Sequence, residues 1–243
     1  MKQLLFKILY NECIAKDIYK MILKGDTDDI TAPGQFINIK LDGFYLRRPI
    51  SVCDYDSTTV TIIYKVVGKG TEAMAKMPTG EQLDILTGLG NGFDTSKSGE
   101  TPVLIGGGVG VPPMYNLCKK LIAENKKVSV ILGFNSKADV FYEEEFKALG
   151  AKVYVTTADG TYGKKGFVTD VMCDLDYSYF YTCGPEPMFK AIESIAKTSG
   201  QYSFEERMGC GFGACMGCSC KTKYKNIRIC KDGPVLEREV IVW

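Results

Sequence analysis

The chain has 243 residues, enough for two domains of ordinary size and a substantial buried core. Its 30 lysines and arginines nearly balance its 29 aspartates and glutamates, so no strong field directs it to nucleic acid or to an anionic membrane. No apolar run approaches the ~18 residues of a membrane span, and Lys7 interrupts the first run too early for a signal peptide. We therefore expect a cytoplasmic protein with neither a nucleic-acid nor a membrane partner.

The chain contains no histidine, which removes the side chain best suited to proton transfer near neutral pH and every histidine-ligated metal site. Electron or hydride chemistry on a bound cofactor tolerates this loss better than hydrolysis does. We therefore predict no catalytic side chain on this chain. Five of the ten cysteines are concentrated in the last 34 residues, whereas the other five are scattered, as inert core cysteines usually are.

The first region, residues 1–97, is predicted to be a small antiparallel β-barrel. Runs of alternating or β-branched residues between glycine and aspartate turns predict strands at Gln3–Leu9, Ile18–Leu23, Gln35–Leu41 and Val60–Val67. A short helix is predicted from Gly70 to Met77, where Pro78 ends it. The polar stretch Asp94–Glu100 is the predicted linker.

In residues 98–201 strands alternate with helices, which indicates an α/β domain with a parallel sheet and crossover connections. Strands are predicted at Pro102–Ile105, Val128–Phe134, Lys152–Thr157 and Tyr179–Cys183. Helical segments are predicted at Pro112–Asn125, Tyr142–Leu149 and Glu186–Lys197. From about Tyr202 the chain becomes rich in glycine and cysteine, so residues 202–243 form the predicted third unit of a multi-domain protein.

The strongest motif is Cys210-Gly-Phe-Gly-Ala-Cys215-Met-Gly-Cys218, followed by Cys230. Its C-x4-C-x2-C-x11-C spacing matches the plant-type [2Fe–2S] pattern in its first three ligands. The intervening glycines let the backbone wrap around a small cluster and turn N–H groups toward sulfur. The alternative is a zinc knuckle, although zinc sites favour paired short C-x2–4-C clips. Cys220 is a surplus thiol, which we predict to be a neighbour of the cluster and not a ligand.

Two glycine turns follow predicted strands and open predicted helices: Gly106-Gly107-Gly108-Val109-Gly110 and Cys183-Gly184-Pro185. Backbone N–H groups at such a turn can receive a phosphate, and two turns at one edge of a parallel sheet define a ligand crevice. Neither turn has the Rossmann G-x-G-x-x-G spacing. Taken alone, each is equally compatible with tight packing.

A third motif, Arg47-Arg48-Pro49-Ile50-Ser51, lies in the β-rich region, with Gly70 and Thr71 downstream. A fixed guanidinium can hold a pyrophosphate, and a glycine–threonine helix start can complete the cradle. The alternative is a solvated basic turn before a strand. Tyr64, between Ile63 and Lys65, is equally compatible with a place in a barrel wall.

Taken in order, the motifs Arg48–Ser51, Gly70–Thr71, Gly106–Gly110 and Cys183–Pro185 resemble the ferredoxin reductase superfamily over residues 1 to about 200. The motif in the tail indicates a narrower family. Glu206-Arg-Met-Gly-Cys210 through Cys218, with Cys230-Lys-Asp-Gly-Pro-Val235, resembles the PyrK family, the electron-transfer subunits of type B dihydroorotate dehydrogenases. The similarity covers essentially the whole chain.

This resemblance implies an FAD-binding barrel, a nicotinamide-binding domain and a C-terminal [2Fe–2S] module. By similarity Arg48, Pro49, Ile50 and Ser51 would bind FAD, with Arg48 on the diphosphate and Ser51 near the flavin ring. Flavin contacts would be added by Ile63, Tyr64 and Lys65, and Gly70 and Thr71 would close around the diphosphate. The cluster ligands would be Cys210, Cys215, Cys218 and Cys230. NAD would bind as an exchangeable substrate at the two glycine turns, which comprise Gly106, Gly107, Gly108, Gly110, Cys183, Gly184 and Pro185. The chain departs from the wider superfamily at Ile50, where an aromatic residue is usual.

In that family, a separate FMN-containing subunit oxidises dihydroorotate in pyrimidine biosynthesis, and electrons pass from FMN through the cluster to FAD and then to NAD. We therefore expect an oxidoreductase subunit within a heterotetramer of two of each chain. The segment Phe134–Asp139 contains no arginine to hold a 2′-phosphate, which favours NAD over NADP. One alternative is the small subunit of an NADPH-dependent ferredoxin oxidoreductase. Another, from a different class, is a non-catalytic scaffold stapled by zinc.

Overall fold

Residues 2–89 form a closed antiparallel barrel in the computed structural model, which describes residues 1–243. Around the barrel the strand order is β1-β2-β5-β4-β3-β6. The strands are β1 (Lys2–Ala15), β2 (Ile18–Lys24), β3 (Phe36–Ile39), β4 (Arg48–Tyr55), β5 (Thr59–Lys65) and β6 (Gln82–Leu89). A short helix, α1 (Lys69–Ala75), follows β5. The predicted barrel is therefore confirmed.

Three barrel features differ from the sequence-based expectation. Strand β1 continues to Ala15 because its first half pairs with β6 and its second half with β2. Strand β6 was not predicted, since Gln82 and Asp84 interrupt its apolar pattern. Strand β4 begins at Arg48, so the basic motif lies within a half-buried strand and is not a solvated turn before one.

The central sheet contains six parallel strands and is crossed by helices on both faces. These elements are β7 (Val103–Gly107), α2 (Val111–Ala123), β8 (Ser129–Phe134), α3 (Glu143–Ala148), β9 (Lys152–Thr157), β10 (Lys164–Lys165), α4 (Val168–Met172), β11 (Phe180–Cys183), α5 (Glu186–Ile195) and β12 (Gly200–Ser203). The parallel α/β sheet is confirmed. Three elements of this domain were not predicted from the sequence, because each is too short to show a periodic pattern: the short α4, the two-residue β10 and the polar β12. No helix is long and apolar enough to cross a membrane.

The last forty or so residues fold onto the sheet instead of standing apart. They comprise β13 (Ser219–Lys221), β14 (Asn226–Arg228), α6 (Ile229–Asp232) and β15 (Val235–Glu237). Strand β15 pairs antiparallel with β12, so the sheet order is β10-β9-β8-β7-β11-β12-β15. The boundary placed after residue 201 falls inside β12. We retain the division into residues 1–97, 98–201 and 202–243 as a proposal.

Three apolar clusters hold these parts together. One fills the barrel interior and includes Phe6 and Ile39. A second joins the barrel to α2 and one sheet face, and it includes Cys53 and Met114. The third, which we call the junction cluster, places Phe36 of the barrel with Cys218, Cys230, Ile105 and other residues of the sheet and tail. The barrel, the central sheet and the cysteine-rich tail thus share buried surfaces.

Candidate cofactor sites

The Arg48–Ser51 motif opens strand β4, where all four residues are half-buried. The Arg48 guanidinium lies 4.9 Å from the centre of the Phe44 ring, and Arg48 Nη1 donates a hydrogen bond to the Leu46 carbonyl. These contacts restrict the orientation of a long cationic side chain before any anion binds. Ile50 packs against the barrel core, in keeping with its aliphatic character.

Gly70 and Thr71 lie directly beside Arg48. A Cβ at Gly70 would collide with Arg48 Nε and Nη2, so the absence of a side chain there makes room for the guanidinium. Thr71 organises the turn before α1, because its Oγ1 accepts from the Val67 N–H at 2.9 Å and donates to the Gly68 carbonyl at 3.0 Å. The structure therefore brings Arg48, Gly70 and Thr71 into one cradle, which fits a diphosphate.

Ile63, Tyr64 and Lys65 end strand β5. Tyr64 is 2% exposed, stacks on Tyr19 and donates from its hydroxyl to Asn11 Oδ1 at 2.8 Å. Burial raises the pKa of Tyr64, so its hydroxyl stays protonated. Ile63 is also buried, and Lys65 is half-buried. Ile63 and Tyr64 can therefore contact a ligand through their backbone, while their side chains serve the barrel wall and the interdomain core.

The two glycine turns meet at the carboxyl edge of neighbouring parallel strands. Strand β7 ends at Gly107 and β11 ends at Cys183, with Gly106 opposite Cys183 in the register. A Cβ at Gly110 would collide with the Cys183 carbonyl oxygen, so only glycine permits this close approach. The two turns therefore form one continuous crevice edge, as expected for a ligand site at the ends of parallel strands.

Side chains behind this edge hold the turns in place. A Cβ at Gly107 would lie 2.7 Å from Met188 Sδ of α5, with Pro185 also close. The next residue, Gly108, has a φ of +53°, and a Cβ there would face open space. Burial raises the pKa of the Cys183 thiol to about 12, so this thiol remains protonated and is a poor nucleophile at neutral pH.

Backbone N–H groups point at the sulfur atoms of the cysteine-rich loop. The N–H groups of Ala214 and Cys215 donate to Cys210 Sγ, with N···S distances of 3.2 and 3.4 Å. Those of Gly217 and Cys230 donate to Cys215 Sγ at 3.5 Å and to Cys218 Sγ at 3.4 Å. Donors in this arrangement stabilise thiolates, which are the form that ligates iron.

The ionisation of these thiols differs with their surroundings. Burial acts to raise the pKa of Cys210, but backbone N–H donors from Cys215, Phe212 and Ala214 outweigh it and bring the pKa to about 6. Burial, followed by the neighbouring Cys218 thiol, raises the pKa of Cys230 to about 12. Without a bound metal, therefore, Cys210 ionises near neutral pH, whereas Cys230 stays protonated.

The four cysteines fall into two pairs, Cys210 with Cys215 and Cys218 with Cys230. Two pairs of thiolates fit a cluster of two irons, in which each iron takes two protein ligands. Cys218 and Cys230 are buried in the junction cluster, whereas Cys215 is exposed. The donor set and its N–H groups thus fit a [2Fe–2S] cluster.

Two residues important to these sites were missed at the sequence level. Asn38 of β3 contacts the cysteine-rich loop, and Asp54 of β4 contacts helix α2. Asn38 had a signal, because it is the polar residue inside the apolar run Phe36–Ile39. Asp54 had none, because an isolated aspartate beside a β-bulge has no distinctive pattern.

Asp54 joins the strand that carries the flavin motif to the helix that follows the first glycine turn. Its Oδ1 accepts from Asn116 Nδ2 at 2.9 Å, and both carboxylate oxygens lie 3.1 Å from Lys119 Nζ. Asn116 is buried, so removing its acceptor leaves an unpaired amide. We expect Asp54→Ala to lower the free energy of unfolding by about 2 kcal/mol in denaturant titrations. Asp54→Asn keeps an acceptor and is expected to cost less; equal losses would contradict this account.

Comparison with known proteins identifies the kinds of domain to which the tail and the central sheet belong. Residues 205–242 match the iron–sulfur cluster binding domain of dihydroorotate dehydrogenase B, and residues 104–194 match the oxidoreductase NAD-binding domain. The electron transfer subunit of dihydroorotate dehydrogenase B (NAD(+)) from Fusobacterium nucleatum is 47% identical over 241 residues, with 93% of each chain covered. The subunit of the same name from Bacillus pumilus is 45% identical over 255 residues, covering 99% of this chain and 98% of its own.

Solved structures show the same architecture. An NADH-dependent reduced ferredoxin-NADP oxidoreductase aligns with a TM-score of 0.88 at 27% identity, over 98% of this chain and 90% of its own. A flavohemoglobin from Malassezia yamatoensis with bound FAD and heme has a TM-score of 0.70 at 21% identity, over 83% and 60% of the two chains, which supports the fold alone. The full-length identity to the curated relatives favours the dihydroorotate system over the ferredoxin oxidoreductase alternative. The chain belongs to the family of electron transfer subunits of dihydroorotate dehydrogenase B (NAD(+)), built on the ferredoxin reductase fold.

Proposed function

We propose that this chain carries electrons from a dihydroorotate-oxidising catalytic subunit to NAD, through a [2Fe–2S] cluster and FAD. One observation carries the proposal. Ser51 of the flavin motif pairs with Phe36, and Phe36 packs in the junction cluster with Cys218 and Cys230. The flavin strand and the cluster ligands therefore adjoin the same buried junction, as electron exchange between two bound cofactors requires.

Each group of residues has a defined part in this function. Arg48, Gly70 and Thr71 hold the FAD diphosphate, and the turns at Gly106–Gly110 and Cys183–Pro185 receive NAD. The four cysteines Cys210, Cys215, Cys218 and Cys230 ligate the cluster. When bound, FAD exchanges two electrons as hydride or one at a time, and the cluster carries one. The protein orients these groups and needs no acid–base side chain for hydride exchange.

The partner follows from what this chain lacks. Its phosphate-binding motifs are assigned to one FAD and one dinucleotide, which leaves no motif for an FMN. Dihydroorotate oxidation therefore belongs to a separate FMN-containing subunit, and we propose a heterotetramer of two of each chain in pyrimidine biosynthesis. We place the complex in the cytoplasm, where the cluster-ligating thiols remain reduced.

The segment after β8 favours NAD over NADP. It contains no arginine between Phe134 and Asp139 that would hold a 2′-phosphate. The Asp139 carboxylate accepts from the Ser136 hydroxyl at 2.7 Å and from the Ser136 N–H at 3.0 Å.

Anaerobic purification tests the cofactor assignment. We expect one releasable FAD and two irons with matching sulfide per chain, as the cradle at Arg48 and the paired cysteines require. The measurement is chemical analysis of flavin, iron, sulfide and zinc in one preparation, together with its absorption spectrum. A colourless protein that contains zinc and no flavin would refute the proposal.

A further inference from the structure

Asn38 is a buried amide on the outer face of barrel strand β3. Its neighbours Ile37 and Ile39 face the barrel interior, so Asn38 points the opposite way, as alternation in a strand requires. The side chain is 1% exposed. A buried amide in an otherwise apolar strand is costly unless its hydrogen bonds replace those made to water.

The amide of Asn38 is bonded to the cysteine-rich loop. Its Nδ2 donates to the carbonyl oxygen of the ligand residue Cys210 at 3.2 Å. The next residue, Gly211, has a φ of +81°, and a Cβ there would collide with Asn38 Nδ2. The loop therefore approaches this side chain as closely as a backbone can. Asn38 Oδ1 has no partner within the chain and remains available as an acceptor at the junction.

The backbone of Asn38 is held as firmly as its side chain. Arg47 Nη1 donates to the Asn38 carbonyl at 3.3 Å and to the Asp84 carbonyl at 3.0 Å, and Arg47 Nη2 forms an ion pair with Asp84 Oδ1 at 2.9 Å. Arg47 immediately precedes the flavin motif. The guanidinium of Arg47 thus ties β3 and β6 to the start of β4.

Asn38 also lies beside the flavin motif. It is opposite Pro49 in the β3–β4 register, so the two residues share one sheet face at a strand spacing of about 4.8 Å. On one side Asn38 adjoins the strand assigned to FAD, and on the other it holds a residue assigned to the cluster. It contacts both elements directly.

We propose that Asn38 is a positioning residue for electron transfer between flavin and cluster, because its amide holds the Cys210 segment against the flavin-bearing face of the barrel. This proposal rests on the proposed function of the chain. With both groups bound, NADH would supply two electrons and a proton to FAD as hydride; one electron would then pass to a ferric iron of the cluster while the other stays on the flavin. Asn38 would act on this second step alone, through the distance between the two groups.

The test is rapid anaerobic mixing of the loaded protein with NADH, following flavin and cluster absorption separately. Asn38→Leu replaces the amide with an apolar side chain of similar size. If the leucine variant does not fold, the same rates are measured in Asn38→Ala. We expect flavin reduction to stay within about twofold of the wild-type rate. Cluster reduction should slow several-fold, because the rate of electron tunnelling falls exponentially with the distance between the two groups.

A second readout needs no turnover. Amide hydrogen exchange of residues 209–217 should quicken in both Asn38 variants, because the loop loses its anchor. Thr87→Val is the matched control, since Thr87 is a buried, unpartnered polar residue on neighbouring β6 and valine preserves its shape. It should change neither rate nor exchange.

Unchanged cluster reduction in fully loaded Asn38 variants would overturn the positioning role. Equal slowing of both steps would overturn it as well, since that pattern indicates general damage to the flavin domain. A wild-type protein without FAD or iron, or one whose cluster NADH cannot reduce, would instead refute the proposed function itself. The two failures are therefore distinguishable.

Discussion

Replacing Cys215 with serine is expected to remove nearly all iron and sulfide from the purified protein while FAD stays bound. A serine hydroxyl does not ionise at neutral pH and is a poor ligand for iron that prefers thiolate. The flavin cradle at Arg48 and Gly70 lies in the barrel and shares no residue with the loop. The measurement is iron and sulfide per FAD in anaerobic preparations, with tail mobility followed by limited proteolysis.

Cys220→Ser is the matched control, because it removes a cysteine from the same segment. Cys220 is half-buried on β13, and its thiol donates to the Lys221 carbonyl at 3.7 Å. Serine preserves its size, so iron content should remain nearly intact. Loss of the cluster in Cys220→Ser together with its retention in Cys230→Ser would show that the ligand set is wrong.

The isolated chain is expected to oxidise NADH with a small artificial acceptor and to produce no orotate from dihydroorotate. The cofactor sites described in this chain are assigned to FAD, NAD and the cluster, so we expect dihydroorotate oxidation to take place at the FMN of the partner subunit. Adding the FMN-containing subunit should restore transfer from dihydroorotate to NAD. The measurement is steady-state orotate formation with each subunit alone and with both. Robust orotate formation by this chain alone would refute its electron-transfer role.

Amide hydrogen exchange on the same complex would locate the contact between the subunits. Electron tunnelling needs close approach, so the loop Cys210–Cys218 should lie in the interface. Phe212 and Met216 of this loop are 42% and 55% exposed, so the loop offers two large apolar side chains that a partner could bury. Amide exchange in the loop should therefore slow when the complex forms, while exchange in the distant β1–β2 turn stays unchanged. Unchanged exchange in the loop would place the interface elsewhere.

The sequence alone determined the features that depend on short-range chemistry. The spacing of Cys210, Cys215 and Cys218 is set by the size of a small cluster, and the glycines between them by the need of the backbone to wrap around it. The alternation of apolar strands with amphipathic segments after residue 102 likewise predicted a parallel sheet, because each element carries its own periodic pattern. Each of these patterns is contained within one loop or one secondary-structure element.

Only the tertiary structure decided the features that depend on partners far along the chain. Strand β15 completes the sheet, although its three residues have no periodicity of their own, and β1 is long because two different strands pair with its halves. The bond from Asn38 to Cys210 joins residues 172 positions apart. Local patterns cannot encode such a contact, because its stability comes from burial that exists only once barrel, sheet and tail are packed together.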